Sequence, residues 1–81
     1  MPVCVRVRYF AGLATVVGCD EESVSAVTTV QDVVDRACEK HPGLVPHRGT
    51  FRVAKNVDFV DGPEALAEGD VIALLPPFSG G

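Results

Sequence analysis

Residues 3–10 alternate without interruption. Val3, Val5, Val7 and Tyr9 share one face, and Cys4, Arg6, Arg8 and Phe10 share the other. This period of two, rich in β-branched side chains, predicts a strand with one clearly apolar face. From Ala11 to Val17, Leu13, Val16 and Val17 fall at helical spacing and Gly18 offers a stop, so one or two helical turns are expected. The acidic run Asp20-Glu21-Glu22 reads as a solvated turn. Residues 23–27 read as a second short strand, paired with the first as a hairpin whose connection holds the small helix.

The clearest helix follows. Val30, Val33, Val34, Ala37 and Cys38 obey the i, i+3, i+4, i+7, i+8 rule of a single buried stripe. Thr29 is placed to cap it, with Asp32 three residues on, where a carboxylate suits the positive helix end. Asp35, Arg36, Glu39 and Lys40 fall mainly on the wet side, and Pro42-Gly43 end the helix. Residues 44–50 read as a loop around Pro46.

Residues 51–54 and 57–60 are short strand candidates joined by the polar pair Lys55-Asn56. Asp61-Gly62-Pro63 breaks the chain, residues 64–67 are expected to form one helical turn, and Glu68-Gly69-Asp70 is a turn. Val71-Ile72-Ala73-Leu74-Leu75 is apolar at every position, which predicts a strand covered on both faces. The order is β, short helix, β, long helix, two short β, turn, β. The first and last strands can then lie parallel at the sheet centre with one helix across a single face. That is an α+β roll, the β-grasp arrangement, with a mixed sheet of four to five strands.

Length and composition limit what such a fold can do. Eighty-one residues allow one small domain, read as residues 1–75 with an extended tail at 76–81. The hydrophobic share of 47% is enough for a core. A net charge of −4 argues against partners recognised through phosphates, so neither nucleic acid nor an anionic membrane is expected. No apolar run approaches the roughly 20 residues of a membrane span. The charged start is a poor secretory signal, so a cytoplasmic protein is expected. Cys4, Cys19 and Cys38 are widely spaced with no Cys-x-x-Cys pair, and read as reduced thiols rather than metal or cluster ligands. His41 and His47 read as surface loop residues, and no metal site is expected.

The chemistry is concentrated at the end of the sequence, Leu74-Leu75-Pro76-Pro77-Phe78-Ser79-Gly80-Gly81. Pro76 and Pro77 cannot donate to a ladder, so the sheet must stop there, and paired prolines favour a stiff extended conformation. At about 3.1–3.4 Å per residue, such a tail reaches roughly 19 Å, far enough to enter another protein. Gly80-Gly81 supplies a tip without side chains that can pass a narrow constriction. Its carboxylate is ionised at neutral pH and is a nucleophile available for adenylation in a partner's active site. The lysines, Lys40 and Lys55, are remote in sequence, and the chain has no Gly-rich phosphate loop.

Taken together, Tyr9-Phe10-Ala11, His41-Pro42-Gly43-Leu44, Glu68-Gly69-Asp70 and the Leu75-to-Gly81 tail resemble the MoaD/ThiS-type ubiquitin-like sulfur carriers, in particular the small subunits of molybdopterin synthase. The resemblance spans the chain and implies the β-grasp fold. It implies that Gly81 is adenylated by a ubiquitin-activating-type enzyme using ATP and Mg²⁺, then converted to a thiocarboxylate by a sulfurtransferase. The loaded tail would deliver sulfur to the pterin precursor inside the large synthase subunit, in a heterotetramer. Two loaded carriers make one dithiolene, and the chain is a co-substrate subunit with no permanently bound cofactor. The resemblance makes Gly80 the slender neighbour of the reacting residue and Pro76, Pro77, Phe78 and Ser79 the inserted segment. Phe78 is the expected apolar anchor, and Phe10 and one face of Ile72 and Leu74 are expected to form a docking patch. Arg6 and Arg8, on the Phe10 face, suit partner carboxylates. Two alternatives remain open: a carrier for thiamine thiazole, cysteine or tRNA thiolation, and a ubiquitin-like modifier joined to target lysines. A passive β-grasp binding module is a third, disfavoured for RNA by the acidic balance.

Overall fold

The alternating stretch forms β1 (Val3–Tyr9), burying Val5, Val7 and Tyr9 and leaving Arg6 and Arg8 in water. The computed structural model describes residues 2–47, 50 and 52–76. After β1 come α1 (Gly12–Val17), β2 (Glu21–Val27), α2 (Val30–Lys40), a 3₁₀ helix (Pro42–His47), β3 (Arg52–Lys55), β4 (Asp58–Phe59) and β5 (Val71–Leu75). The five strands make one sheet in the order β2-β1-β5-β3-β4. β1 and β5 are parallel, and the β1–β2, β3–β5 and β3–β4 pairs are antiparallel. This is the expected β-grasp sheet, with α2 laid across one face.

The helix forms as its residues dictate. Thr29 accepts from the Asp32 N–H at 3.3 Å, and the Asp32 carboxylate accepts from the Thr28 and Thr29 N–H groups at 2.9 and 3.1 Å. These backbone donors hold the Asp32 carboxyl below the usual carboxylate range. Its buried stripe, Val30, Val33, Val34, Ala37 and Cys38, meets Val5, Val7 and Tyr9 of β1, Val24 and Val27 of β2, and Ile72 and Leu74 of β5. Each valine or leucine so buried contributes about 1.5–3 kcal/mol. Leu13 of α1 and Leu44 of the 3₁₀ helix close the core. Gly18 ends α1 at φ 90°, a conformation that glycine adopts without cost, and its N–H donates to the Ala14 carbonyl.

Several segments depart from the sequence reading. The register shifts by one between Val3–Val27 and Val5–Val24, a bulge in which Ala26 takes φ 61°. Val24 and Val27, three apart, therefore both point into the core. The expected loop at 44–50 begins with 3₁₀ turns, because Leu44 is drawn fully into the core. Residues 64–67 form no helical turn. The chain there runs extended beside the α2 N-terminus: the carbonyls of Glu64 and of the preceding Gly62 accept from the Val30 and Gln31 N–H groups, orphan donors of that helix end. The strand expected at 51–54 is observed as Arg52–Lys55, and Phe51 lies outside the described residues. β5 is buried on one face only. Ile72 and Leu74 are in the core, while Val71, Ala73 and Leu75 are half-buried on a face that no described helix covers.

Candidate functional site

Strand register decides what the uncovered face of the sheet presents. Arg8 lies opposite Glu21 of β2 and Ala73 of β5, Ala73 lies opposite Ala54 of β3, and Ala54 lies opposite Phe59 of β4. One row across the sheet thus reads Glu21, Arg8, Ala73, Ala54, Phe59. A second row pairs Ser23, Arg6 and Val71, and at the other end Leu75 lies opposite Arg52. Small residues occupy the centre, and aromatics and arginines the sides. The Arg8 guanidinium sits 5.4 Å from the centroid of the Phe10 ring, and that of Arg52 sits 4.2 Å from Phe59. These cation–π contacts keep both rings and both charges at the surface in defined positions. The Arg6–Glu21 ion pair, at 3.5 Å, is loose and well exposed.

Phe10 stands where the sequence places it, 38% exposed at the end of β1, with its N–H donating to the Leu74 carbonyl at 3.2 Å. Leu74 does not join it, and neither does Ile72, which is fully buried on the same inner face. The Leu74 side chain is 0% exposed and faces α2, because the Tyr9–Leu74 register puts both residues on the inner face. The outward neighbour of Phe10 is Leu75. Pro76 follows directly, half-buried, at the same end of the sheet. Pro77, Phe78, Ser79, Gly80 and Gly81 lie outside the described residues. Arg52 and Phe59 were missed in the sequence, where neither belongs to a long alternating run.

A polar cluster supports this end of the sheet from the inner side. The Glu22 carboxylate accepts from the Tyr9 hydroxyl, lies 2.7 Å from the Lys40 ammonium and 2.7 Å from His41 Nε2, and is only 12% exposed. The His41 and Tyr9 rings meet edge to face at 5.9 Å. Burial alone would raise the Glu22 pKa. The hydrogen bonds from Lys40, Tyr9 and His41 outweigh it and hold the carboxyl at about 2. The same burial, with Glu22 beside it, pushes the Tyr9 phenol well above its ordinary range. Glu22 is therefore a fixed anion tying β1 and β2 to the C-terminal end of α2, where the sequence suggested a solvated turn. His41 is likewise partly buried and paired rather than a free loop residue.

A second ion pair ties β3 to the 61–67 segment. Lys55 Nζ lies 2.6 Å from Glu64 Oε2 and donates to the Ala65 carbonyl at 3.2 Å. Cys4 is half-buried, Cys19 exposed and Cys38 buried. Among the described residues, no group of three or more His, Cys, Asp or Glu side chains could hold a metal ion. No helix among them is long and apolar enough to cross a membrane.

The geometry has counterparts. The sequence model of the ThiS family matches residues 7–81. The molybdopterin synthase sulfur carrier subunit of Homo sapiens is 33% identical, over 100% of this chain and 99% of its own length. That of Chlamydomonas reinhardtii is 32% identical, over 95% of this chain and 98% of its own. Among solved structures, the putative molybdopterin converting factor subunit 1 of Pyrococcus furiosus superposes with a TM-score of 0.85 at 27% identity, covering 94% of this chain and 99% of that one. The small archaeal modifier protein 1 of H. volcanii gives 0.85 at 29% identity, over 94% and 99%. A chain from the complex of subunits 1 and 2 of the molybdopterin-converting factor of Helicobacter pylori gives 0.72 at 26% identity, over 98% and 100%.

Proposed function

We propose, from the premise that this chain belongs to the ThiS family, that it is the sulfur-carrier small subunit of molybdopterin synthase. The observation that carries this reading is the end-to-end likeness to subunits of that name, with the family match running through Gly81. The fold agrees with it. A two-layer body buries its helix on one side and leaves a sheet face beside Pro76 on the other, where the tail segment begins.

In this reading the Gly81 carboxylate attacks the α-phosphorus of ATP in an adenylating enzyme, with Mg²⁺ supplied there, and pyrophosphate leaves. A sulfurtransferase persulfide then displaces AMP from the acyl-adenylate, and a second thiol cleaves the resulting acyl disulfide, leaving a terminal thiocarboxylate and a disulfide on the sulfur donor. Gly80 and Gly81 fit the tip through the partner's constriction, and Pro76, Pro77, Phe78 and Ser79 form the inserted segment. The large subunit receives the tail and docks on the outer face through Phe10, with Arg6, Arg8 and Arg52 set to meet its carboxylates. The Helicobacter pylori structure, a complex of subunits 1 and 2, supports such a pairing. We place the assembly, a heterotetramer, in the cytoplasm.

Intact-mass analysis after incubation with ATP, Mg²⁺, an activating enzyme and a sulfur source tests the reading. One oxygen-for-sulfur exchange at Gly81 is expected, and deletion of Gly81 should abolish it without altering the unfolding curve. A truncated chain that still acquires sulfur refutes the assignment. Phe78→Ala should fold normally and bind the large subunit more weakly, and unchanged affinity removes its anchor role. The likeness to a small archaeal modifier protein supports a second reading, joining of Gly81 to lysines on targets. High-mass conjugates cleaved by isopeptidases, in place of thiocarboxylate, would establish that one.

A further inference from the structure

We propose that the fold makes the lysines of this chain poor acyl acceptors for its own activated tail, because Lys40 and Lys55 are both held as ion-paired ammonium groups. The inference rests on the reading of Gly81 as an adenylated residue and adds where the acyl group can go. An acyl-adenylate is open to any neutral amine. Attack by a lysine Nζ forms a C–N bond, breaks the bond to the phosphate oxygen, expels AMP and releases the protons carried by the ammonium. On a second copy of the chain, that reaction would join carriers into a dead-end dimer.

The sequence contains two lysines, and both are engaged. Lys40 Nζ lies 2.7 Å from Glu22 Oε1. An exposed pair of this kind is ordinarily weak because both side chains wander. Here one partner does not wander, since Glu22 is already fixed by Tyr9 and His41. Lys55 is only 24% exposed and is held by two acceptors, Glu64 Oε2 and the Ala65 carbonyl. Deprotonating either ammonium would strand a carboxylate that it now neutralises. The hydrogen bond to Glu22 raises the Lys40 pKa, and that to Glu64 raises the Lys55 pKa, which lowers the share of neutral amine further.

The placement of the other cations fits the same logic. The outer sheet face, beside Pro76, takes its positive charge from Arg6, Arg8 and Arg52. A guanidinium stays protonated and is no acyl acceptor near neutral pH. The face can therefore attract carboxylates without offering an amine to an activated tip.

Competitive labelling tests this on the full chain without relying on the tail. Acetylation by N-hydroxysuccinimidyl acetate, followed by peptide mapping, gives a rate for each lysine in the folded chain and in urea. Both should react several-fold more slowly when folded. Glu64→Gln should return Lys55 towards its urea rate and leave Lys40 protected, and that retained protection shows the variant is folded. Folded-to-unfolded rate ratios near one for both lysines overturn the proposal. A second arm adds the adenylating enzyme, ATP and Mg²⁺. The unaltered chain should yield no Lys40- or Lys55-linked dimer, and Glu64→Gln should yield Lys55-linked dimer. Equal dimer from both chains also overturns the proposal. Failure to trap Gly81 with hydroxylamine would instead refute the adenylation reading, and the labelling rates would still decide the state of the lysines.

Discussion

Val7 and Arg8 are neighbours in β1, yet one has no exposed surface and the other stands in water over an aromatic ring. The same division runs through the sheet. The inner face is valine, isoleucine and leucine packed on α2, and the outer face sets small residues at the centre between arginines and phenylalanines. Burying the inner face stabilises the body. The outer face adds little to that stability and is left available for recognition. In so small a chain, division of labour by face lets one sheet hold the fold together and, in the proposed function, present a partner surface at once.

The sharpest test of that division is the pair Leu74 and Leu75. Leu74→Ala should cost about 2–5 kcal/mol in urea unfolding, as other buried leucines do. Leu75→Ala should cost no more than about 1 kcal/mol. Equal losses would break the distinction between faces. Next in size is the acid response. The folded Glu22 carboxyl titrates at about 2 against an ordinary 4.5. Its contribution is therefore complete above about pH 4.5 and is lost as pH falls towards 2. About 2–3 kcal/mol should disappear over that window. Glu22→Gln should lose a comparable amount at neutral pH and flatten the acid limb of the stability–pH curve.

On the outer face, Phe10→Ala combined with Arg8→Ala should weaken large-subunit binding by about tenfold, close to 1.4 kcal/mol by calorimetry. Unfolding of that variant should shift by less than about 0.5 kcal/mol. A large stability loss with unchanged affinity would reverse the assignment of the faces. The smallest effect is expected at the helix cap, where Thr29→Ala should cost about 1 kcal/mol and leave partner binding untouched.

Local patterns and strand order were legible, and contacts between side chains distant in sequence were not. β1 and α2 follow from their own residues, since an unbroken period of two and a capped 3.6-residue stripe each specify one geometry. The parallel placement of the first and last strands followed from their order. Leu74 misled because an all-apolar strand has no alternation to read, and its inward direction is set by pairing with Tyr9. Glu22 misled because an acidic triplet resembles solvated chain until Lys40 and His41 arrive from the far end of α2. Residues 64–67 have the composition of a helical turn, but α2 uses the carbonyls of Glu64 and Gly62, a demand written some thirty residues earlier. The resemblance read from the tail and turn motifs agrees with the family match, and Gly81 carries the reaction in the proposed cycle.

The bulge at Ala26 has a further effect, because β2 is an outermost strand of the sheet. A regular outermost strand offers a row of free amide and carbonyl groups onto which another molecule can add, the first step towards fibrous aggregation. In β2 the extra residue breaks the spacing of that row, and the Arg36 side chain donates to the Ser25 carbonyl at 3.2 Å. At the opposite margin β4 is only two residues long, too short to template a strand. Neither margin of the sheet therefore offers a regular row of free groups for another strand to join.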